Sequence, residues 1–358
     1  CEALSQIEVP ERGLYLRVIA AELQRIAAHL MATGFLLQDM GAMGTPLMYC
    51  FRERERILEL FEMLCGARIT NSYMRIGGVF YDAPDSFWPA LRQFLDEMPG
   101  YIEEYEALMT GNEILLGRTK GVSSLQIADV VNASISGPML RAAGLAWDIR
   151  KSDPYDIYGT LDFEIPVGTQ GDVYDRYWVR LQEMRQSLSI VDQCFGRIPQ
   201  GPVRAEVPLI YRPPVGEAYV PIEAPKGELG FYIVSDGGIS PYRCKIRAPS
   251  FINLTLLKEM LIGRKMADLV VILGSIDINM GEVDRLVARS SLAASCTTAY
   301  CSVTSTTCSA RCFLGAYAGW TISFPASSSC SFWSTVCCWG QPFSSGPSGR
   351  SRAGSRTG

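Results

Sequence analysis

A periodic run of apolar residues between Asp172 and Arg197 constrains the fold more than any other stretch of the chain. Its apolar side chains recur every three or four residues: Val173, Tyr177, Leu181, Met184, Leu188, Val191 and Phe195. This spacing places them on one face of an α-helix, with acidic and arginine side chains on the other faces. The pattern predicts a long core helix against which the neighbouring elements pack.

Two further helices are predicted in the N-terminal third. The first begins at Pro10-Glu11, because proline suits the first turn and an acid there interacts favourably with the helix dipole, and its apolar pattern runs to Leu30. His29, the only histidine of the chain, is predicted at the polar edge of this helix in a structural role. The second helix covers about 51–65 and carries many charges, which usually indicates a solvated face; an interface or a buried network is the alternative.

The remaining pattern predicts shorter elements. A helix with Trp88 and Met98 among its apolar residues is expected to be interrupted at Pro99-Gly100. A proline-rich connector is expected over 199–225, and the apolar run 269–273 is expected to form a short buried strand.

One β-hairpin is predicted near the C-terminal end of this region. Leu229–Ser235 and Tyr242–Ala248 flank a turn rich in glycine, and in the second strand apolar residues alternate with basic ones. The predicted fold class is therefore α+β, predominantly α-helical, with a small β-sheet region.

Charge divides the chain near Leu286. From that residue to the end there is no Asp, Glu or Lys and there are five arginines, so the net charge of −4 for the whole chain leaves −9 for residues 1–285. The surface of a folded domain is normally about a quarter charged. We therefore expect 1–285 to form the domain and 286–358 to be a tail of non-native origin, from a frameshift or read-through, and disordered. An acidic domain also argues against a nucleic-acid partner.

The chain begins with Cys1 in what reads as the middle of a helix, which predicts that its start has been lost. The sequence contains neither a GxxxxGK[ST] phosphate loop nor a GxGxxG fingerprint, and its single histidine excludes an HExxH metal motif. Residues 1–285 contain no Cys-x-x-Cys, so no metal site held by this chain alone is predicted. An acidic, largely helical chain without such motifs is typical of a scaffold that takes its chemistry from a neighbour.

Ten short motifs together resemble one family. They are Arg25-Ile-Ala-Ala-His-Leu30, Asp39-Met-Gly-Ala-Met43, Phe51-Arg-Glu-Arg-Glu55, Gly66-Ala-Arg68, Arg75-Ile-Gly-Gly-Val79, Asp148-Ile-Arg-Lys151, Gly227-Glu-Leu-Gly230, Val234-Ser-Asp-Gly-Gly238, Arg247-Ala-Pro-Ser-Phe251 and Gly281-Glu-Val-Asp-Arg285. In this order they resemble the hydrogenase-like D subunit of respiratory complex I, which is the 49-kDa subunit in mitochondria. The resemblance covers residues 1–285, and the family's chain normally ends at the last motif.

The resemblance implies a helical core similar to the large subunit of nickel–iron hydrogenases. It implies a quinone-binding subunit of the peripheral arm of NADH:quinone oxidoreductase, on the cytoplasmic side of the inner membrane, with activity coupled to proton translocation. The implied partners are the small subunit that carries the terminal iron–sulfur cluster, a C-type subunit and the quinone-channel subunit of the membrane arm. Quinone is the implied substrate; NADH, flavin and iron–sulfur clusters belong to other subunits, and this chain is expected to bind no cofactor or metal.

The resemblance also assigns residues to the quinone chamber. Asp39 matches the family acid that hydrogen-bonds the quinone-site histidine, and it is the one residue expected to have a catalytic role. Phe35 and Met43 are expected to line the chamber, as are Asn279 and Met280 in the C-terminal loop. The family's quinone-contacting His and Tyr match positions before Cys1.

A second group of residues is expected to face other subunits. Thr70 and Arg75 match positions near the terminal cluster, although relatives commonly carry His where this chain has Thr70. The basic face of the second hairpin strand, formed by Arg243, Lys245 and Arg247, is expected at a partner interface.

Two alternative functions remain open at the sequence level. An active hydrogenase needs cysteine thiolates in a C-terminal Asp-Pro-Cys-x-x-Cys, and alignment on Asp277 places Asn279 and Glu282 at the cysteine positions. Neither residue supplies soft sulfur, which argues against a membrane-bound hydrogenase. A purely structural assembly subunit is the other alternative.

Overall fold

The computed structural model describes residues 1–41, 44–208 and 210–284. The α-helices in chain order are α1 Glu2–Ser5, α2 Glu11–Asp39, α3 Thr45–Cys65, α4 Phe87–Tyr105, α5 Glu113–Thr119, α6 Ile127–Asn132, α7 Pro138–Ala142, α8 Ile149–Ser152, α9 Val173–Arg197, α10 Pro249–Asn253, α11 Leu257–Leu261, α12 Asp268–Ile276 and α13 Met280–Asp284. A π-helix covers Glu106–Thr110, and 3₁₀-helices cover Tyr158–Thr160 and Leu254–Leu256. The strands are β1 Met74–Arg75, β2 Gly78–Val79, β3 Gly216–Ala224, β4 Gly227–Ser235 and β5 Arg243–Arg247.

Helix α9 packs on α2, which also packs on α3, and the apolar faces of these three helices form the centre of the core. The predicted core helix is confirmed over Val173–Arg197. It begins after Asp172, whose carboxylate accepts a hydrogen bond from the backbone N–H of Asp175 at 2.9 Å and so caps the first turn.

The N-terminal helices are longer than their sequence patterns indicate. Helix α2 continues past Leu30 to Asp39, and α3 begins at Thr45, with Pro46 in its first turn. Helix α4 continues through Pro99, so the predicted interruption is wrong. The ring of Pro99 faces solvent while Met98 and Ile102 are buried on either side, and this packing offsets the lost hydrogen bond.

The predicted hairpin is confirmed as the antiparallel pair β4–β5. A third strand, β3, pairs antiparallel with β4 from Gly216 opposite Ser235 to Ala224 opposite Gly227. The second half of the predicted connector is therefore a strand. Pro221 misled the prediction, but it lies on an edge strand, where proline is tolerated.

The run 269–273 belongs to helix α12 and is not a strand, because a short apolar run does not distinguish the two. Helix α12 packs against α2 and α9, with Val271, Ile272 and Ile276 buried. The α+β, predominantly helical fold class is confirmed.

No helix in the described part of the chain is both long and apolar enough to span a membrane. Met43 and the tail 286–358 lie outside the described residues.

Candidate functional site

Asp39 is the last residue of α2, and its carboxylate lies against the backbone of α12. A Cβ atom built on Gly274 would be 2.8 Å from Oδ2 of Asp39. Partial burial raises the pKa of Asp39 from 3.8 to about 6, and the negative end of the α2 dipole acts in the same direction. This carboxyl group therefore keeps a protonated fraction near neutral pH that an ordinary aspartate does not have.

Phe35 lies one turn before Asp39 on α2 and is half-buried. Its ring meets that of Phe51 on α3 edge-on, with 5.9 Å between the centroids. This aromatic pair joins the last turns of α2 to the second turn of α3, next to Asp39, where the family resemblance implies the chamber wall.

Two arginines of α9 hold the end of α12. Arg180 donates from Nη2 to the carbonyl oxygen of Ser275 at 2.8 Å, and Arg176 donates from Nη1 to Oγ of the same serine at 3.1 Å. A third contact lies just after the helix, where Nζ of Lys226 is 2.6 Å from Oδ1 of Asp277. These contacts fix the backbone of α12 next to Asp39 and set the direction of the loop that follows.

Asn279 lies in that loop, and Met280 is the first residue of α13. The backbone N–H of Asn279 donates to Oγ of Ser250 at 3.2 Å, and its Oδ1 accepts from the N–H of Gly281 at 3.0 Å. Ser250 in turn donates from Oγ to Glu282 at 2.5 Å. The Met280 side chain is exposed, whereas Asn279 is fixed by these hydrogen bonds.

Asn279 also lines a cavity of about 220 Å³ between α2 and β3. The buried polar residues of its wall are Arg17, Arg25, Tyr158, Glu223 and Lys226. Nη1 of Arg25 has no hydrogen-bond partner among the described residues. The cavity therefore places a buried cation beside the loop that carries Asn279.

A cluster of charged residues, buried in the core behind this cavity, was missed by sequence reasoning. Nε2 of His29 lies 2.8 Å from Oε2 of Glu183, whose Oε1 accepts from Nε of Arg141 at 2.7 Å; Nη1 of Arg141 donates to Oε1 of Glu223 at 2.9 Å. The cluster continues through Asp148, Arg150, Glu22 and Arg25. His29 is fully buried, so its predicted place at a polar edge is wrong.

Burial lowers the pKa of His29, and the hydrogen bond to Glu183 offsets only part of this effect. Burial opposes ionisation of Glu183, but Arg141 and His29 outweigh it and lower the pKa of that carboxyl group. Burial therefore favours the neutral form of His29, whose Nε2–H donates to the ionised Glu183. The cluster stabilises the junction of α2, α7, α9 and β3 rather than supplying an exposed base.

The family model for the 49 Kd subunit of respiratory-chain NADH dehydrogenase matches residues 39–215 and 207–285. The D subunit of the NADH-quinone oxidoreductase of Dehalococcoides mccartyi is 54% identical over 284 residues, which are 79% of this chain and 77% of that protein. The chain belongs to this family. The corresponding D subunit of Desulforamulus reducens is 53% identical over 79% of this chain and 77% of its own length, and that of Bacillus mycoides is 48% identical over the same shares.

The 49 kDa subunit family was the one indicated by the sequence motifs, and that identification is confirmed. Thr70, which differs from the histidine expected in this family, is exposed in the loop after α3. Arg75 lies in β1 with its guanidinium carbon 4.9 Å from the centroid of the Phe80 ring, and its carbonyl accepts from Nη2 of Arg17 at 2.7 Å. The structure does not bring Thr70 or Arg75 to Asp39 by any described contact, and their place near a cluster stays a prediction.

The basic residues of β5 divide into two kinds. Arg243 and Lys245 are exposed, whereas Arg247 lies 3.1 Å from Glu228 and donates to the carbonyl of Ser134 at 2.7 Å. Arg247 thus holds the sheet against the loop after α6, and Arg243 and Lys245 are the basic residues of β5 that face outwards. Within residues 1–41, 44–208 and 210–284, no three His, Cys, Asp or Glu side chains converge to hold a metal ion.

Proposed function

We propose that this chain is the quinone-site subunit of an NADH:quinone oxidoreductase. Family membership supports the assignment, and the relatives that match it are named as the D subunit of that enzyme. In this role the chain positions the quinone ring and helps to deliver protons, while NADH, flavin and the iron–sulfur clusters stay on other subunits. We further propose that it sits peripherally on the cytoplasmic face of the membrane, beside the cluster-bearing small subunit, a C-type subunit and the quinone-channel subunit.

One observation carries the proposal beyond family membership. Asp39 and the segment around Asn279 are distant in the sequence, yet α12 connects them: Gly274 lies against Asp39, and Asn279 follows three residues after the end of α12. Both were expected in one chamber because of the family resemblance. The anchored helix α12 therefore links Asp39 to the segment that carries Asn279, and this link supports a shared site.

Reduction of a quinone to a quinol takes up two electrons and two protons. A carboxyl group with a pKa of about 6 is suited to orient or exchange a proton at neutral pH, because both of its protonation states are populated. Asp39 would hold the neighbouring donor in the family's chamber, and Phe35, Met43, Asn279 and Met280 would line it. Coupling of this step to proton translocation is part of the same proposal.

The test uses the assembled complex with Asp39→Asn, in membranes of a host whose own copy of this subunit has been replaced. Quinone reduction by NADH should fall about 100-fold. NADH oxidation with an artificial acceptor that takes electrons from the flavin should stay unchanged. Asp153→Asn is the matched control, because Asp153 is exposed and its side chain has no described hydrogen bond or ion pair. An assembled Asp39→Asn complex with full quinone activity would contradict the role of Asp39 and favour a purely structural subunit.

A further inference from the structure

We propose that Gly274 is a positioning residue for quinone reduction: the missing side chain at this place allows the Asp39 carboxylate to lie against α12. The inference rests on the proposed function, because it explains how the protein holds the acid that function requires.

The backbone does not explain a glycine at this position. Gly274 lies within α12, in its last turn, and it is not among the residues with positive φ, so any L-residue could adopt its conformation. Glycine inside a helix is less favourable than alanine because it loses more conformational entropy on folding. The reason for glycine must therefore lie in the space next to it.

That space is occupied by Asp39. A Cβ atom on Gly274 would lie 2.8 Å from Oδ2 and 3.8 Å from Cγ of Asp39, and 3.6 Å from Cδ1 of Leu36. The distance to Leu36 is an ordinary van der Waals contact, whereas the distance to Oδ2 is too short for any real Cβ atom. Of these three atoms, only the end of the Asp39 side chain would have to move.

Helix α12 is held more firmly than the carboxylate. The carbonyl and hydroxyl of Ser275 accept hydrogen bonds from Arg180 and Arg176, and Lys226 binds Asp277 just beyond. All three cationic side chains are buried. An added methyl group at Gly274 would therefore displace the carboxylate of Asp39 towards solvent and leave α12 in place.

The displaced carboxylate should differ in two measurable ways. Its oxygens would no longer lie where the proposed quinone site requires them, so the rate of quinone reduction should fall. It would also lose burial, and because burial is what raises its pKa to about 6, that pKa should move towards 3.8.

The experiment compares Gly274→Ala with Gly117→Ala in the assembled complex. Gly117 also lies inside a helix, α5, but no atom lies within 4 Å of the place where its Cβ would be. We expect Gly274→Ala to lower kcat for quinone reduction roughly 10- to 100-fold, with no loss of melting temperature and unchanged electron transfer to an artificial acceptor. Gly117→Ala should match the natural protein in both rates and keep or raise its melting temperature, because alanine is the better helix residue.

The pH profile separates positioning from a general structural effect. The limb of the profile that Asp39→Asn removes belongs to Asp39, and Gly274→Ala should move this limb to lower pH by up to about two units. Adding Gly274→Ala to Asp39→Asn should cause no further loss, because both changes act through one carboxylate.

The outcomes distinguish this inference from the function on which it rests. If Asp39→Asn is inactive but Gly274→Ala keeps the natural rate and pH profile, the positioning role is wrong and the proposed function stands. If Asp39→Asn is fully active, both are wrong. Additive losses in the double variant, or failure of Gly274→Ala to assemble, would also overturn the positioning role, because an effect other than movement of the carboxylate would then be responsible.

Discussion

Arg141 contacts three carboxylates inside the core. Glu183, Glu223 and Asp148 lie 2.7, 2.9 and 3.4 Å from its guanidinium nitrogens, and all four side chains are almost completely buried. Burial of ions is costly, so such groups are stable only while their partners are present. No pattern in the sequence indicates this arrangement, because helical periodicity treats a charged residue as solvent-facing and cannot show that its partners come from distant segments.

Removal of Arg141 should therefore be far more damaging than removal of a surface arginine. We expect Arg141→Met to lower the free energy of unfolding by about 3–5 kcal/mol, because it leaves buried carboxylates without their cation. Arg92→Met is the control, since Arg92 pairs with Asp192 at the surface and its loss should leave the free energy of unfolding almost unchanged. Denaturant unfolding of the purified variants measures both values, and equal losses would show that the cluster is not the source of the difference.

Glu22 gives a pH dependence with a defined sign. Burial opposes its ionisation, but Arg25 and Arg150 outweigh burial and lower its pKa from 4.5 to about 2. A carboxylate with a depressed pKa in the folded state contributes stability above pH 4.5 and loses it as the pH falls towards 2. The contribution of this single group should decrease by about 2 kcal/mol between pH 5 and pH 3.

The test measures unfolding free energies of the natural protein and Glu22→Gln at both pH values. The difference between them should shrink by about 2 kcal/mol from pH 5 to pH 3, because the variant cannot titrate at this position. Glu164→Gln changes an exposed carboxylate with no described partner and should give a pH-independent difference. A constant difference for Glu22→Gln would mean that Glu22 is not held ionised by the arginines.

At the scale of elements, the sequence predicted those whose apolar pattern is long. Helix α9 and the β4–β5 hairpin were predicted almost to the residue, because each has many repeats of its period. The prediction failed for α12, where the apolar run is too short to distinguish helix from strand, and for β3, where Pro221 obscured an edge strand. These failures affected the site, since α12 is the element that meets Asp39.

Helix α4 offers a test of how packing overrides local preference. Pro99 lies in its interior and removes a backbone hydrogen bond, whereas Pro89 lies in its first turn, where that N–H has no helical partner. We expect Pro99→Ala to raise the free energy of unfolding by about 1–3 kcal/mol and Pro89→Ala to change it by no more than about 0.5 kcal/mol. Denaturant unfolding checks both, and an equal effect of the two changes would show that Pro99 carries no helix penalty here.

At the scale of the whole molecule, motifs identified the family and the site residues but not the way in which they meet. Asp39 and Asn279 were selected because each belongs to a segment that the family resemblance covers. Gly274 lies in the same covered region, but no role was expected for it, and its importance follows only from the distance to Oδ2 of Asp39. A contact between residues far apart in the chain depends on tertiary packing, so no local pattern could have predicted it.

Metal content separates the two electron-transfer functions considered for this chain, quinone reduction and hydrogenase activity. A nickel–iron hydrogenase needs soft thiolates, but Asn279 and Glu282 stand at the two C-terminal positions, and both already bind within the chain, to Gly281 and Ser250. We therefore expect the assembled complex, purified without oxygen, to contain no stoichiometric nickel by elemental analysis. A nickel–iron hydrogenase carried through the same purification is the control for metal loss. One nickel ion per chain, retained after dialysis against a chelator, would contradict the quinone-site function and favour a hydrogenase.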